Sequence, residues 1–577
     1  MHYPKHLDSS GYDSFMALTS AQDHLARSLA YGGFFTTIFV SAWWTVEPVN
    51  APKMLALAMT AGGCLGIMAA DRLIALREDR LVIIPVSAFI IISILTLFSS
   101  SDAVEINLFG VGGRNTGLIT YVSLAIILIG SLQLQNLLDI QKVIKGFAFA
   151  GMLNVVYCFL SIIGIELIPW NNIYNTILGT LGNPNFIGAF LGMFAVLILA
   201  YIIDKNRSRM IQIFGFLTLC LTFFEILKSH AIQGIVVFAI GASIVLWMKI
   251  RSTFSKGIVE YLFLSGAIVS GIFAVLGALQ IGPLTKYIYK ASVSLRGEYW
   301  QAAWNMGIQH PFTGVGMDSY GSWFRRARDT EGFLKPGSNV TTNAAHNVFL
   351  DIFAYGGFPL LIVYLLIIAV IARSAFNILF VSKNYDFVGV GLVAVWVCYQ
   401  AQALISINQI GVAIWGWIFG GLILAYDKVL KLNKLELLTG SQKEKRKNTK
   451  VNRSSEAGIS LATFVGIVIA FLVAMPPMVA DAKWRNAMGS GDAKKLEAAA
   501  TSWPQEPVRL NEAIKIFSDN KLDETALKLS KISITKFSEY FISWYSYMQL
   551  VNITDSEREF ARTQLHRLDP NNPEFKQ

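Results

Sequence analysis

The residues best suited to chemistry lie in one long polar segment between two apolar runs, residues 282–346. This segment holds seven Lys and Arg side chains, Arg296, Arg325 and Arg326 among them, against four Asp and Glu side chains. Arg suits a diphosphate because its planar guanidinium binds two oxygens at once and stays charged. The segment therefore predicts either a solvated charged surface or an anion site at a membrane–water boundary.

His346 ends this segment and directly precedes an apolar stretch. A histidine at such a junction can act as a general base or bind a phosphate. It can equally cap the following helix or anchor it at the interface. Earlier in the segment, Arg296 and Trp300 are four residues apart, so they share one face of a predicted helix.

Two shorter polar segments also lead into apolar helices. Residues 110–121 place Arg114 at a glycine-rich helix start, and residues 178–188 carry polar residues typical of a helix start. The second group consists of Asn183, Pro184 and Asn185. Capping alone accounts for these three residues, so they are predicted to be architectural.

The amino-acid composition indicates which class of protein carries these residues. Of the 577 residues, 54% are hydrophobic and 15% are charged, and the mean hydropathy is +0.50. A soluble domain carries about a quarter charged residues, so a soluble enzyme, a disordered chain and a fibre are excluded. The net charge of +10 is assigned to basic loops at a membrane face rather than to nucleic-acid binding. The sequence predicts an all-α, polytopic transmembrane bundle.

About thirteen apolar runs have the roughly 20 residues that a helix needs to cross a bilayer. They are 28–46, 54–70, 82–100, 117–134, 143–165, 185–203, 210–227, 231–248, 257–281, 347–372, 387–405, 409–426 and 458–475. Lys and Arg concentrate in alternate loops, which predicts that the N-terminus is inside and the C-terminus outside.

The same alternation divides the chain into five parts. These are a cytoplasmic N-terminus at 1–27, a transmembrane core at 28–427 with the long outer loop at 282–346, a basic cytoplasmic linker at 428–457, a last transmembrane helix at 458–475 and an extracytoplasmic helical domain at 476–577. In the last part, Ala526 and Ala561 lie 35 residues apart in similar stretches of sequence. This spacing is close to the period of a tetratricopeptide repeat, so the domain is predicted to be either such a repeat or a set of generic helical hairpins.

Several motifs occur in a fixed order on the predicted outer side. They are Gly-Thr-Leu-Gly-Asn-Pro-Asn-Phe-Ile-Gly at 179–188, Arg296-x-x-x-Trp300, Pro311-x-x-Gly314-x-Gly316, Ala345-His346-Asn347-x-Phe349-Leu350 and Tyr355-Gly356-Gly357. Over roughly residues 25–427 the chain resembles the O-antigen ligase and Wzy polymerase superfamily of bacterial envelope glycosyltransferases.

The resemblance implies a glycan donor carried on undecaprenyl diphosphate at the outer face of the bacterial cytoplasmic membrane. An acceptor hydroxyl, on a glycan, a lipid or a protein, would attack the anomeric carbon, with no cofactor and no metal. Carried onto this chain, Arg296 would bind the diphosphate, and His346 would activate the hydroxyl or bind the phosphate. Trp300, Gly314, Gly316 and Asn347 would shape the site.

The chain departs from the family in one place. Ligases often carry an Arg just before the Gly-Thr segment, where this sequence has Asn175-Thr176-Ile177. We therefore expect the second diphosphate ligand to be Arg114, or Arg325 and Arg326.

Three functions remain open on the sequence. The first is a ligase that transfers a finished glycan, and the second is a polymerase that joins repeat units on the same carrier. A lipid or polysaccharide transporter comes from another class, but the bundle halves show no internal repeat of the kind common in transporters. In each case the partners are membrane lipids and a lipid-linked glycan.

Overall fold

The structure is a computed structural model. It describes residues 9–71, 73, 79–254, 257–278, 281–283, 285–288, 295–335, 337–381, 384–439 and 455–575. All regular secondary structure in these ranges is helical, as predicted. Half of the predicted basic linker, residues 440–454, lies outside them.

The membrane bundle consists of the helices that coincide with the thirteen predicted spans. They are α1 (Ser9–Ile38), α2 (Asn50–Ala70), α3 (Arg80–Ser99), α5 (Leu118–Leu132), α6 (Leu137–Ile162), α7 (Pro184–Ile202), α8 (Arg209–Lys228), α9 (Ile232–Phe254), α10 (Ile258–Ala278), α15 (Val348–Val381), α16 (Phe387–Ala403), α17 (Ile410–Thr439) and α18 (Glu456–Ala474). Among the described residues, ten of these helices are long and apolar enough to cross a membrane, and α5 and α16 are shorter apolar helices. The chain is therefore a multi-pass membrane protein.

The first helix differs most from its prediction. It begins at Ser9, within the predicted N-terminal tail, and ends at Ile38 instead of residue 46. The side chain of Gln22 donates to the Gln133 carbonyl at 2.9 Å and accepts from the Gln135 amide at 3.0 Å. Part of the predicted tail thus packs against the bundle.

Central packing depends on α17, whose membrane-spanning part is fully buried. Trp415 of this helix packs edge-on against Phe147 and donates to the Thr37 hydroxyl at 2.7 Å. The last span, α18, crosses α2 through small residues, and a Cβ on Gly62 would lie 2.3 Å from the Gly466 carbonyl oxygen. Such close backbone contact is how helices pack tightly in lipid, where apolar side chains gain little by association.

Shorter helices lie at one end of the bundle, where the polar segments meet. They are α4 (Val104–Phe109), α11 (Thr285–Ile288), α12 (Arg296–Gln309), α13 (Tyr320–Ala327) and α14 (Thr330–Leu334). The C-terminal domain packs at the same end and consists of α19 (Pro476–Ser490), α20 (Ala493–Ala500), α21 (Pro507–Asp519), α22 (Asp523–Lys536), α23 (Phe541–Met548) and α24 (Asp555–Leu568). The tail is therefore helical, as predicted, and its similarity to tetratricopeptide repeats stays a prediction.

Ion pairs fix the C-terminal domain to the long polar segment. Arg328 and Asp569 are both fully buried and lie 2.7 Å apart, and Arg325 binds the same carboxylate at 2.9 Å. A second pair joins Lys536 of the tail to Glu105 of α4. Because a buried charge is costly unless it is paired, these contacts hold the tail in one position.

A break in α15 gives the long segment its docking point. Gly356 and Gly357 have non-helical backbone angles, and Gly357 has φ +64° and ψ −160°. The freed backbone pairs with the turn at 311–316: the amides of Val315 and Gly316 donate to the carbonyls of Ala354 and Tyr355 at 2.8 and 3.1 Å. The glycines of this motif thus permit close backbone contact.

Replacing Gly357 by Ala should destabilise the protein. The new Cβ would lie 2.4 Å from the Pro311 carbonyl oxygen, in a backbone conformation that only glycine adopts easily. Strain of this kind costs on the order of 1–3 kcal/mol, so we expect the melting temperature in detergent to fall by roughly 2–6 °C. Gly271→Ala in α10, where a Cβ meets nothing within 4 Å, is the control. Equal melting temperatures for the two variants would contradict the docking.

Candidate active site

His346 lies in the turn that precedes α15, with a positive φ of 55°. Its ring stacks on that of Tyr299 in α12, with the centroids 5.8 Å apart. The helix cap is Asn347, whose side chain accepts from the Phe349 amide at 3.0 Å and the Leu350 amide at 3.2 Å. The histidine side chain is therefore available for another role.

Two arginines from distant segments act on this imidazole. The pKa of His346 is lowered to about 3, first by burial and then by the positive charges of Arg114 and Arg296. Burial also lowers the pKa of Arg296, the first residue of α12. The structure thus brings together three of the predicted site residues, which are separated by up to 232 positions in the sequence.

The two arginines share a second property. Within the described part of the chain, neither Arg114 nor Arg296 forms an ion pair with a carboxylate. Both side chains are partly exposed. The site therefore presents two guanidinium groups with charge available for an anion.

Asp318 positions the loop that carries Arg114. Its carboxylate accepts from the Val111 amide at 2.8 Å, the Thr116 hydroxyl at 2.9 Å and the Tyr355 hydroxyl at 3.1 Å. Burial raises the pKa of Asp318 to about 6, against the opposing effect of these hydrogen bonds and of Arg114. One side chain thus connects the Arg114 loop, the long segment and α15.

Asp351 positions the turn that carries His346. Its carboxylate accepts from the Ala345 amide at 2.7 Å, which fixes the turn just before the histidine. Asp351 also lines a small polar pocket together with Arg114 and Tyr355. Asn50 closes another wall of this pocket, and its amide donates to the Gly113 carbonyl at 2.7 Å.

Asp318 and Asp351 were not predicted as site residues. The sequence feature that could have indicated them is their place beside the motifs, two residues after Gly316 and five after His346. A single buried carboxylate in an apolar or glycine-rich stretch is a detectable feature, because charged residues are rarely buried without a partner.

Arg325 and Arg326 bind carboxylates of the C-terminal domain. Arg325 binds Asp569 and lies 4.1 Å over the Phe541 ring, both in the tail. Arg326 pairs with Glu539 and lies 3.7 Å over the Trp323 ring. Their charges are neutralised by carboxylates of the C-terminal domain, so we assign them to domain docking and not to the diphosphate site. The prediction of Arg114 as the second diphosphate ligand stays open.

The other predicted residues have local roles. The Asn183 side chain accepts from the Asn185 amide at 2.9 Å and caps α7, which begins at Pro184. Trp300 lies one turn beyond Arg296 in α12, and its indole nitrogen is buried without a hydrogen-bond partner among the described residues. Gly314 and Gly316 belong to the docking turn.

Fold and site together define a multi-pass helical membrane protein with a cationic site at one end of its bundle. Residues 221–365 match the family model described as O-antigen ligase. The matched segment includes Arg296 and His346 and ends within α15, so the resemblance predicted from the motifs is confirmed. No curated protein matches the chain.

The protonation of His346 can be tested directly. Since its pKa lies near 3, we expect nitrogen NMR of histidine-labelled protein to show a neutral imidazole from about pH 8 down to about pH 5. In Arg114→Gln or Arg296→Gln, protonation should begin at higher pH because one repelling charge is lost. A charged imidazole at about pH 6 in the unsubstituted protein would contradict this site geometry.

Proposed function

We propose that the protein is a membrane glycosyltransferase that moves a glycan from undecaprenyl diphosphate to an acceptor hydroxyl. One observation carries the proposal: Arg114 and Arg296 both act on His346, and neither has a carboxylate partner among the described residues. A lipid diphosphate is the anion that fits two guanidinium groups beside a membrane-spanning bundle. The match to O-antigen ligases over residues 221–365 supports the same reaction class.

In this reaction the acceptor oxygen forms a bond to the anomeric carbon, and the bond from that carbon to the diphosphate oxygen breaks. The bonding electrons leave with undecaprenyl diphosphate, which gains negative charge in the transition state. Arg114 and Arg296 stabilise this charge, and such electrostatic stabilisation is usually the largest contribution to catalysis. The hydroxyl proton passes to His346 or to a diphosphate oxygen.

The low pKa of His346 fits a base that gains strength when the donor binds. Burial first, and then the two nearby positive charges, disfavour a protonated imidazole. A bound diphosphate would offset these charges and raise the pKa from this low value, although burial would still act, so the imidazole would become a stronger base once the donor is in place. Acid–base strength would thus be coupled to donor binding.

The proposed orientation places this site on the outer face of the bacterial cytoplasmic membrane, with the N-terminus inside. The donor's polyprenyl chain would remain in the bilayer while its diphosphate and glycan reach the water-exposed segments. Basic loops concentrate at the other end of the bundle, which agrees with this orientation.

The C-terminal domain favours ligation over polymerisation. The Gly112 amide, two residues before Arg114, donates a hydrogen bond to Glu506 of the tail. Asp481 of α19 accepts from the Val46 and Glu47 amides at 2.7 and 2.8 Å. An acceptor held by this domain would therefore lie beside the donor diphosphate.

Product length separates the two reactions. Purified protein is incubated with undecaprenyl diphosphate carrying one glycan repeat and with candidate acceptors. A single glycan on the acceptor, with free undecaprenyl diphosphate as the second product, is expected for a ligase. A ladder of products from the donor alone indicates a polymerase, and uptake into vesicles without covalent change indicates a transporter.

Removing either guanidinium should lower activity sharply. We expect Arg296→Gln and Arg114→Gln each to reduce the single-turnover rate by roughly 10²- to 10³-fold, the usual effect of removing one charge-stabilising donor. His346→Ala should reduce it by about 10²-fold or more if the imidazole is the base. The measurement is release of undecaprenyl diphosphate.

Lys335→Gln is the matched control, because this exposed cation of the same segment pairs with Glu298 and Glu331 and is not among the charges that act on His346. It should retain full activity. All variants should elute as monodisperse protein with unchanged helical content. Full activity of Arg296→Gln or Arg114→Gln would refute the assigned role of that residue.

A further inference from the structure

A large groove opens between α6, α7 and α8, at the half of the bundle away from the C-terminal domain. Its volume is about 660 Å³, within the range of small-molecule binding sites. It lies on the opposite half of the membrane from His346, because the tail packs at the other ends of these helices. The donor site therefore does not account for it.

Polar and apolar residues occupy opposite ends of the groove. Gln141, Lys145 and Arg207 line it near the membrane surface, whereas Met152 and Phe194 line it deeper in the bundle. Along α6, residues 141 to 152 cover about 17 Å at 1.5 Å per residue. This is about half the hydrocarbon thickness of a bilayer, so the groove has the length of one leaflet.

The two cations differ in how far carboxylates neutralise them. Lys145 is exposed and forms no ion pair within the described ranges. Arg207 lies 4.1 Å over the Tyr201 ring, and its only carboxylate partner among the described residues is Asp204 at 3.4 Å. The Arg207 Nε atom is buried without a hydrogen-bond partner in that part of the chain.

We propose that this groove binds an anionic phospholipid of the leaflet opposite the catalytic site. The acyl chain lies along α6 between Ile144 and Met152, and Lys145 and Arg207 bind the phosphate. Charge complementarity selects an anionic headgroup over a zwitterionic one, because basic pockets between transmembrane helices bind anionic lipids at this depth. The lipid would join α8 to the rest of the bundle. The proposal does not depend on the glycosyltransferase reaction.

The test compares two phospholipids with the same acyl chains. Purified full-length protein in a zwitterionic detergent is titrated with phosphatidylglycerol or phosphatidylcholine, and bound lipid is counted by native mass spectrometry. We expect phosphatidylglycerol to bind about tenfold more tightly, given two cations at the headgroup. Glycerol 3-phosphate at the same concentration should not displace it, since the acyl chain contributes to binding.

Variants locate the site. Lys145→Gln combined with Arg207→Gln should remove the preference for phosphatidylglycerol, while Lys205→Gln, an exposed cation of the same loop that does not line the groove, should keep it. Ala148→Trp, which fills the groove, should weaken binding of both lipids. Lys145→Arg, which keeps the charge, serves as a folding control and should retain the preference.

Two results would overturn the proposal. One is equal affinity of the unsubstituted protein for the two lipids. The other is a double variant, with unchanged helical content and elution, that still prefers phosphatidylglycerol tenfold.

Discussion

The positive charge around His346 is the constraint on which the candidate site depends. Arg114 and Arg296 both act on the imidazole of His346, and no carboxylate of the described chain pairs with either guanidinium. Each guanidinium disfavours a positive charge on His346, so the region around this imidazole favours a bound anion. A diphosphate would offset this positive charge on binding.

Hydrogen bonds to two buried carboxylates keep these charges in place. Asp318 binds the Arg114 loop from the long segment, and Asp351 binds the turn before His346 from α15. Both carboxylates bond backbone amides, so they organise the cationic residues without neutralising them by direct contact. The break at Gly357 and the turn at 311–316 then fix the long segment to the bundle.

The C-terminal domain belongs to the same arrangement. Its Asp569 binds Arg325 and Arg328, and its Glu506 accepts from the Gly112 amide. The long segment and the Arg114 loop are thus held by one domain. Removing this domain would leave the fully buried Arg328 without its carboxylate partner, which is strongly unfavourable.

Hydropathy was sufficient to predict the bundle, because a helix in lipid must satisfy its own backbone and carry apolar side chains. Ten predicted spans are long and apolar enough to cross a membrane, whereas α1 runs from Ser9 to Ile38 instead of over the predicted residues 28–46. Motif order singled out Arg296 and His346, and a glycine-rich helix start singled out Arg114; their roles stay predictions. The partners of Arg325 and Arg326 could not be predicted, because Asp569 and Glu539 lie more than 200 residues away and no local pattern specifies such contacts.

We propose that Arg114 and Arg296 together hold a lipid diphosphate beside His346. The most direct measurement is an electron cryomicroscopy structure of the protein with undecaprenyl diphosphate. We expect diphosphate oxygens within about 3 Å of both guanidinium groups. Arg325 and Arg326 should still be bound to the tail. A diphosphate seated on Arg325 and Arg326, or one that contacts neither Arg114 nor Arg296, would contradict it.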